Sequence, residues 1–225
     1  MLVLALDTSS AAVAVAVVDI DVDNVVDVAG RAVSENLSTR AIETRGHGEM
    51  LSPTIAACLA EAGRTVRDVG AIVAGLGPGP FTGLRVGLVT AGALADALGV
   101  PVYGACSHDG LAHASDGDLL VATDARRKEV YWSHYRDGAL VTGPDVAKPA
   151  DVPTDGIAAM TGGGARLYAD VLGLPLLAVD HAEPARLVAR AVDRITDGAP
   201  SETLVPLYLR RPDAVPPASM KAVSP

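Results

Sequence analysis

Short apolar runs that end in polar turns dominate the N-terminal half of the chain. Residues 2–6 are continuously apolar and end at Asp7-Thr8-Ser9-Ser10, a pattern that predicts a buried strand followed by a tight turn. A second apolar run follows directly at 11–18, so these two strands are predicted to form a hairpin. Further strands are predicted over 25–33, 71–76 and 100–105.

Two helices are predicted between these strands. Residues 48–62 carry apolar side chains at helical spacing, among them Leu51 and Ile55, and Gly63 ends this helix. Residues 82–98 form the second helix, which ends just before a glycine.

Helix 82–98 is apolar on two opposite sides. A helix that is apolar nearly all round is buried on both sides, so this one is either wholly internal or covered on its outer side by a second chain. Small residues along it would let a partner helix approach closely. The residues predicted to face outward, and so to contact a partner together with Leu51 and Ile55, are Val86, Val89, Ala93 and Ala97.

The order of predicted elements in the first half, a strand that ends in an Asp-containing turn followed by further strands and helices, begins again near residue 119. An apolar run over 119–123 ends at a second Asp-containing turn, Asp124-Ala125-Arg126-Arg127, and strands are predicted over 129–135 and 139–146. A short helix over 107–114 precedes this half, and two helical stretches end it, one opened by Gly162-Gly163-Gly164 and the other over 184–196.

Two halves with one outline predict a duplicated α/β architecture. The N-terminal lobe is predicted to cover residues 1–105 and the C-terminal lobe residues 106–210. Residues 211–225 contain four prolines and no aromatic side chain, which predicts a mobile tail.

Composition and charge narrow the classes of function. The net charge of -9 argues against a protein that holds nucleic acid alone. The two cysteines, Cys58 and Cys106, are 48 residues apart and match no zinc-site spacing, so they are predicted to be reduced and buried. No uncharged apolar run reaches the length that a membrane span needs, and we expect no membrane association.

The local motifs leave alternatives open. The Gly/Pro-rich loop over 75–83 matches neither GxGxxG nor a P-loop, so it is either a tight strand-to-helix turn or a loop whose backbone N–H groups face an anion. The adjacent cations Arg126, Arg127 and Lys128 are either a solvated turn or an anion contact. His108 and His113 are five residues apart, which is the wrong spacing for a helical metal site.

Four segments taken together resemble the bacterial TsaB (YeaZ) family. They are Asp7-Thr8-Ser9, residues 77–87 (GPGPFTGLRVG), residues 124–131 (DARRKEVY) and residues 206–210 (PLYLR). The resemblance is colinear over residues 1–210, nearly the whole chain.

This resemblance implies a fold class and a function. The fold would be the duplicated α/β fold of actin, hexokinase and Hsp70, with two lobes. The function would be a role in forming N6-threonylcarbamoyladenosine beside the tRNA anticodon in the cytoplasm. In that family TsaB is a non-catalytic subunit that forms a heterodimer with its paralogue TsaD, which holds the metal, and the ATPase TsaE joins them. The tRNA would be reached only through this complex.

The resemblance also implies the remnant of a nucleotide cleft. Asp7-Thr8-Ser9 would form the first phosphate turn, Asp124-Ala125-Arg126 the second, and Gly162-Gly163-Gly164 the adenosine turn. The chain is expected to require no cofactor. Weak binding of ATP or ADP is compatible with this expectation. Pro80 stands where family members usually have serine, and it removes both a hydroxyl and a backbone N–H from the loop.

No catalytic metal is expected. The two histidine ligands of TsaD would fall on Ser107 and Leu111, and neither is a good metal ligand. Without TsaD, the outward helix face is expected to be covered by a second copy in a homodimer. The rival hypothesis is a self-sufficient ATP-dependent enzyme of the same fold, either a small kinase or a metallohydrolase like the M22 peptidases.

Overall fold

Two mixed β-sheets flanked by helices organise residues 1–20, 34–112 and 117–210, which are the residues that the computed structural model describes. The strand predicted over 25–33, His113 and the tail predicted over 211–225 lie outside the described residues.

The first sheet has the strand order β3-β2-β1-β4-β5. β1 pairs antiparallel with β2 and parallel with β4, so that Leu4 lies between Val17 and Ile72. All six residues of β1 are buried, as expected for a central strand covered on both faces. The strands are β1 (Leu2–Asp7), β2 (Ala12–Ile20), β3 (Ser34–Glu43), β4 (Val69–Gly75) and β5 (Val102–Ala105).

Helices cover both faces of this sheet. The helices α1 (His47–Glu61) and α2 (Phe81–Leu98) pack on one face, against Leu4 and Leu6 of β1, while Val3 and Ala5 of the same strand belong to a separate core on the other face. This division follows from the two-residue period of a strand, which points successive side chains to opposite faces. Length and composition alone would let α2 cross a membrane, but it packs against β4 and β1.

The second sheet repeats the topology of the first. It has the order β8-β7-β6-β9, with two antiparallel strands following β6 and a parallel strand, β9, on the other side. The predicted duplication is confirmed by this repeat. The elements are β6 (Asp118–Asp124), β7 (Val130–Arg136), β8 (Ala139–Ala147), β9 (Ala159–Thr161), α3 (Gly163–Leu167) and α4 (Ala169–Leu172).

The helix α5 (Pro184–Thr196) departs from the predicted lobe boundaries. The sequence predicts its bounds, but the split at residue 105 assigns it to the second lobe. In the structure, Leu187 and Val188 pack against Val3 and Tyr103 of the first sheet. The apolar stripe of α5 predicts that one side of this helix is buried, but it does not predict against which sheet. In the structure, α5 covers the face of the first sheet that is opposite to α1 and α2.

Other elements differ from the sequence-based expectation in small ways. The helices predicted over 48–62 and 82–98 are confirmed as α1 and α2. The strand β3 has a polar sequence, SENLSTRAIE, and was not predicted. The helix predicted over 107–114 is a single 3₁₀ turn, Ser107–Gly110.

Residues 106–112 begin the connection between the two lobes, and three successive side chains fix this connection. The Ser107 hydroxyl donates to the carboxylate of Asp7 in the first lobe. The buried ring of His108 lies 2.7 Å from the Ser133 hydroxyl and 2.9 Å from the Thr123 hydroxyl, both in the second lobe. Asp109 accepts a hydrogen bond of 2.9 Å from Tyr135. The lobes are therefore joined by buried polar contacts as well as by the chain.

We predict that His108 makes the protein acid-labile. Burial lowers its pKa from 6.5 to about 3, so between these values the unfolded chain binds a proton that the folded protein excludes. Stability should therefore fall as the pH drops below 6.5, by at most ~1.4 kcal/mol per pH unit from this group. Thermal unfolding measured from pH 7 to pH 4.5 should show a shallower decline for His108→Gln than for the wild type. The control His181→Gln should keep the wild-type slope, and parallel slopes for all three proteins would refute the assignment.

Candidate functional site

A cleft of about 530 Å³ lies between the lobes and collects all three turns that the sequence singles out. Ser10 lines it from the turn after β1, Asp124 and Arg126 from the turn after β6, and Gly163 from the turn before α3. Pro80 adds the start of α2. The turns predicted to surround a nucleotide are thus brought together at one place.

The first turn, however, points its side chains into the protein. Asp7, Thr8 and Ser9 are at most 5% exposed, and none of them lines the cleft. One carboxylate oxygen of Asp7 accepts hydrogen bonds from the backbone N–H of Ser9 at 2.9 Å and from its hydroxyl at 2.7 Å, while the other oxygen accepts from Ser107. Internal bonds therefore occupy the polar side-chain atoms of Asp7 and Ser9, and the role of this turn in nucleotide binding stays a prediction.

Thr8 is fixed in the same way by α2. Its hydroxyl donates to the carbonyl of Gly83 at 2.8 Å and accepts from the N–H of Gly87 at 3.1 Å. These bonds anchor the start of α2 directly on the first turn.

The Gly/Pro-rich loop seals the first turn from outside. A Cβ on Gly75 would overlap the Asp7 carboxylate, and a Cβ on Gly79 would overlap the Ser9 carbonyl. The N–H of Gly77 donates to the Ser107 hydroxyl at 3.0 Å, so it faces inward. Of the two interpretations left open by the sequence, these contacts favour the tight strand-to-helix turn.

The second turn has a rare backbone conformation. Arg126, Arg127 and Lys128 have φ values of 62°, 55° and 62°, which places three consecutive non-glycine residues in the left-handed region. Each such residue costs roughly 1–2 kcal/mol, so neighbouring contacts must hold the turn. The N–H of Arg126 donates to the Asp124 carboxylate at 2.8 Å, and the buried Ala125 bonds through its N–H to the Glu129 carbonyl at 3.1 Å.

In the glycine turn, Gly162 and Gly164 allow close backbone packing and do not line the cleft. Gly162 has a φ of 103°, and a Cβ there would overlap the Ala122 carbonyl, while Gly164 packs closely on Thr123. Gly163 lines the cleft. Two of the three predicted adenosine-turn residues are therefore required for close packing of α3 on β6.

Charges inside the cleft are balanced by each other. The guanidinium of Arg126 lies 3.2 Å from the Asp124 carboxylate, and that of Arg166 lies 2.7 Å from Asp180. Glu43 adds a further carboxylate to the lining. A polyphosphate entering this cleft would have to compete with carboxylates for both arginines.

The predicted partner face is partly exposed. Val89 is 69% exposed, and Ala93 and Ala97 are also exposed, whereas Val86 is half-buried. One row along α2, called the exposed row below, has members four positions apart: Phe81, Arg85, Val89, Ala93 and Ala97. Val86 lies beside this row.

Leu51 and Ile55 are corrected by the structure. Leu51 is fully buried and Ile55 is 6% exposed, because the apolar stripe of α1 packs into the core of the first lobe. Leu51 is therefore unavailable to a partner. Ile55 forms only the floor of a groove of about 390 Å³ between α1 and α2, whose walls include Ala56, Thr90 and Leu94.

Sequence reasoning missed an exposed aromatic cluster at the start of α2. Phe81, the only phenylalanine in the chain, is 54% exposed and stacks on Tyr208, which is 44% exposed, at 5.4 Å between ring centroids. The Arg85 guanidinium lies 3.9 Å above the Phe81 ring. The matched segments at 77–87 and 206–210 contain these residues, but nothing in either segment indicates that they meet.

Comparison with known proteins gives one consistent picture. The model of a family described as "TsaD: tRNA N6-adenosine threonylcarbamoyltransferase" matches residues 41–163. A solved structure from Pseudomonas aeruginosa, described as an uncharacterized protein with similarity to peptidase YeaZ, is 31% identical over 93% of this chain and 99% of that chain, with a TM-score of 0.71. This chain belongs to the TsaB/YeaZ family. Its fold is accordingly the duplicated actin/hexokinase-like α/β fold.

Two relatives of this TsaB/YeaZ family member show the extent of the similarity. An uncharacterized protein of Mycobacterium leprae is 44% identical over 215 residues, 96% of this chain. The chain spans 56% of the length of that relative. The tRNA threonylcarbamoyladenosine biosynthesis protein TsaB of Escherichia coli is 34% identical over 97 residues, 41% of this chain and 42% of that protein.

The two residues at the positions of the TsaD metal ligands, as the resemblance aligns them, have structural roles in this protein. Ser107 is bonded to Asp7, and Leu111 is 1% exposed within the core of the second lobe. His108 is bonded on both ring nitrogens. Within residues 1–20, 34–112 and 117–210, no three His, Cys, Asp or Glu side chains gather as metal ligands would. The absence of a catalytic metal remains a prediction.

We predict that the close approach of the Gly/Pro-rich loop to the first turn is essential for stability. Gly79→Ala should destabilise the protein by about 2 kcal/mol or more, because its Cβ would overlap backbone that cannot move aside. Gly92→Ala is the matched control: nothing lies within 4 Å of its Cβ on α2, so it should stabilise the protein by up to ~1 kcal/mol. Urea unfolding measures both variants. Equal stability of the two variants would contradict the packing argument.

Proposed function

We propose that this chain is a non-catalytic subunit of the complex that transfers a threonylcarbamoyl group to N6 of the adenosine next to the tRNA anticodon. In this proposal it works in the cytoplasm by forming a heterodimer with its paralogue TsaD and by binding the ATPase TsaE. Membership of the TsaB/YeaZ family supports the role in this modification. The partner role rests on one further observation, the exposed row along α2.

The exposed row has the composition of a helix-packing surface. Val89 is the most exposed of the large apolar side chains in the described residues, and Ala93 and Ala97 continue its row toward the end of α2. Small side chains allow two helix axes to approach to ~8–10 Å. The groove beside the row, floored by Ile55, offers a recess for a partner's side chains. A paralogue with the same fold can supply an equivalent helix, and a second copy of this chain can do so in its absence.

The negative net charge of this chain supports tRNA binding by the complex and not by the chain alone. With a net charge of -9, the chain lacks the clustered excess of cations that counterion release requires. Nine arginines of the described residues pair with carboxylates, which further reduces the charge available to a polyanion. They are Arg40, Arg64, Arg126, Arg136, Arg166, Arg186, Arg190, Arg194 and Arg210.

We further propose that the cleft needs no cofactor and binds ATP or ADP weakly. A cleft lined by parts of all three turns supports some binding, but the first turn is sealed and the cleft arginines are paired with carboxylates. The same observations weigh against the rival function, a self-sufficient ATP-dependent kinase or metallohydrolase, which needs an open phosphate turn.

Reconstitution tests the proposed function. The chain should support formation of N6-threonylcarbamoyladenosine on tRNA when it is mixed with TsaD, TsaE, a threonylcarbamoyl donor and ATP, and it should give no product when TsaD is omitted. Product formed by this chain without TsaD would favour the rival enzyme. Full activity of TsaD and TsaE without this chain would remove the proposed role.

We predict that Ala93→Arg weakens the partner interaction. A long cation in a close helix contact leaves an unpaired buried charge, which costs several kcal/mol, so the affinity for TsaD should fall at least about tenfold and product formation should fall with it. The homodimer should dissociate in the same variant, as seen by size-exclusion chromatography. Val141→Arg, on the exposed strand β8, is the matched control and should bind normally. A folded Ala93→Arg protein with normal binding would show that the interface lies elsewhere.

We also predict that the cleft's own carboxylates limit nucleotide binding. Asp180→Asn should release Arg166 and remove a negative charge, which should tighten ATP binding roughly fivefold in isothermal titration calorimetry. Asp145→Asn changes the charge equally on β8, outside the cleft lining, and should leave the ATP affinity unchanged. The same gain in both variants would point to net charge alone.

A further inference from the structure

The segment over residues 201–210 lies across the first lobe as a strap. The N–H of Glu202 donates to the Val102 carbonyl at 2.8 Å, and its carboxylate accepts from the N–H of Gly104 at 2.9 Å. Farther along, the N–H of Leu207 donates to the Leu76 carbonyl at 2.8 Å. The strap is therefore fixed to β5 and to the start of the Gly/Pro-rich loop by backbone hydrogen bonds.

The strap next joins the exposed row of α2. Tyr208 stacks on Phe81, and its hydroxyl accepts a hydrogen bond of 2.8 Å from Nε of Arg85. Phe81 and Arg85 are the first two members of the row that continues through Val89. A partner that covers this row would therefore also meet Tyr208.

Two residues later the strap reaches the second lobe. Nη1 of Arg210 donates to the Ala125 carbonyl at 2.9 Å, and Nη2 pairs with the Glu129 carboxylate. These two contacts hold the residues on either side of the left-handed segment 126–128. Arg126 in that segment lines the cleft.

We propose that the strap couples the partner surface on α2 to the cleft. Tyr208 is the contact that responds to occupation of the exposed row, and Arg210 is a positioning residue that keeps the turn over 126–128 in its left-handed form, with Arg126 directed to the cleft. Binding of a partner helix to the row would hold Tyr208 and, through it, Arg210, so the turn would become more rigid. The identity of the partner as the TsaD paralogue rests on the proposed function, whereas the link from Arg210 to the turn is a property of this chain alone.

The isolated chain tests the link from Arg210 to the turn. Trypsin cleaves after Arg126, Arg127 and Lys128, and hydrogen exchange reports on the amides of the same turn. Arg210→Ala should raise the rate of both by about tenfold, because the strained turn loses two contacts that hold it. Glu129→Gln, which keeps the hydrogen bond of Arg210 to Ala125, should have a smaller effect. Arg210→Lys should restore protection in part.

The control for this test is Arg186→Ala. Arg186 forms a more exposed ion pair with Glu183 at the start of α5, far in sequence from the turn, so its loss should leave exchange at 126–128 unchanged. Unchanged exchange and cleavage in Arg210→Ala would overturn the proposal. A rise throughout the protein, with a lowered unfolding temperature, would also overturn it, because Arg210 would then stabilise the fold generally.

The link from Tyr208 is tested on the same readouts. Tyr208→Ala should loosen the turn at 126–128 at least threefold, whereas Val205→Ala, which removes an exposed side chain from the same strap, should not. Equal behaviour of these two variants would limit the strap to a local clamp and refute the coupling.

The partner arm separates this inference from the proposed function. Addition of TsaD should slow exchange at 126–128 in the wild type and leave it unchanged in Tyr208→Ala that still binds TsaD. Binding without any change at the turn in the wild type would refute the coupling while leaving the proposed function intact. Failure of TsaD to bind the wild type would remove the proposed function, and the Arg210 and Tyr208 results on the isolated chain would still decide the link.

Discussion

The first lobe depends on how the buried carboxylate of Asp7 is satisfied. A carboxylate that is 1% exposed and unpaired would cost several kcal/mol, so its oxygens must accept hydrogen bonds from nearby donors. Ser9 supplies two of these bonds and Ser107 a third. Because the Asp7 carboxylate lies against β4, there is no space for a side chain at residue 75. The bond from Ser107 also places the segment that connects the lobes next to the first turn. The turn is therefore closed by the same contacts that make it stable.

Closure of the first turn also fixes the relation between the lobes. Ser107 holds Asp7 in the first lobe, and its neighbours His108 and Asp109 bond to strands of the second lobe. Because neighbouring residues of one short turn make these bonds, neither lobe can rotate about the connection without breaking buried hydrogen bonds. Burial raises the pKa of Asp109 and lowers that of His108, so both groups are held in an environment that opposes charge. A cleft between lobes joined in this way is suited to keep one shape.

The helices and most strands could be predicted because their signal is local. The bounds of α2 and α5 follow from apolar spacing and from the glycine or proline at their ends. The sheet on which α5 packs could not be predicted, since an amphipathic stripe states only that a helix is covered. The inward direction of Asp7 depends on Ser107, 100 residues away, and the left-handed turn at Arg126 depends on Arg210, more than 80 residues away. Neither dependence leaves a pattern in the neighbouring sequence.

The two lobes repeat one topology but use its equivalent turns differently. The turn after β1 carries Asp7 and is sealed by the loop that leads into α2, whereas the turn after β6 carries Asp124 and remains at the cleft with three exposed cations. In the first case glycines let the backbone cover the carboxylate, and in the second the carboxylate is satisfied within its own turn by the N–H and the guanidinium of Arg126. The duplicated unit thus supplies one turn that anchors the fold and one that remains accessible. The accessible turn is held by Arg210, which lies beyond both sheets in sequence, so its conformation depends on a segment that also borders the exposed face of α2.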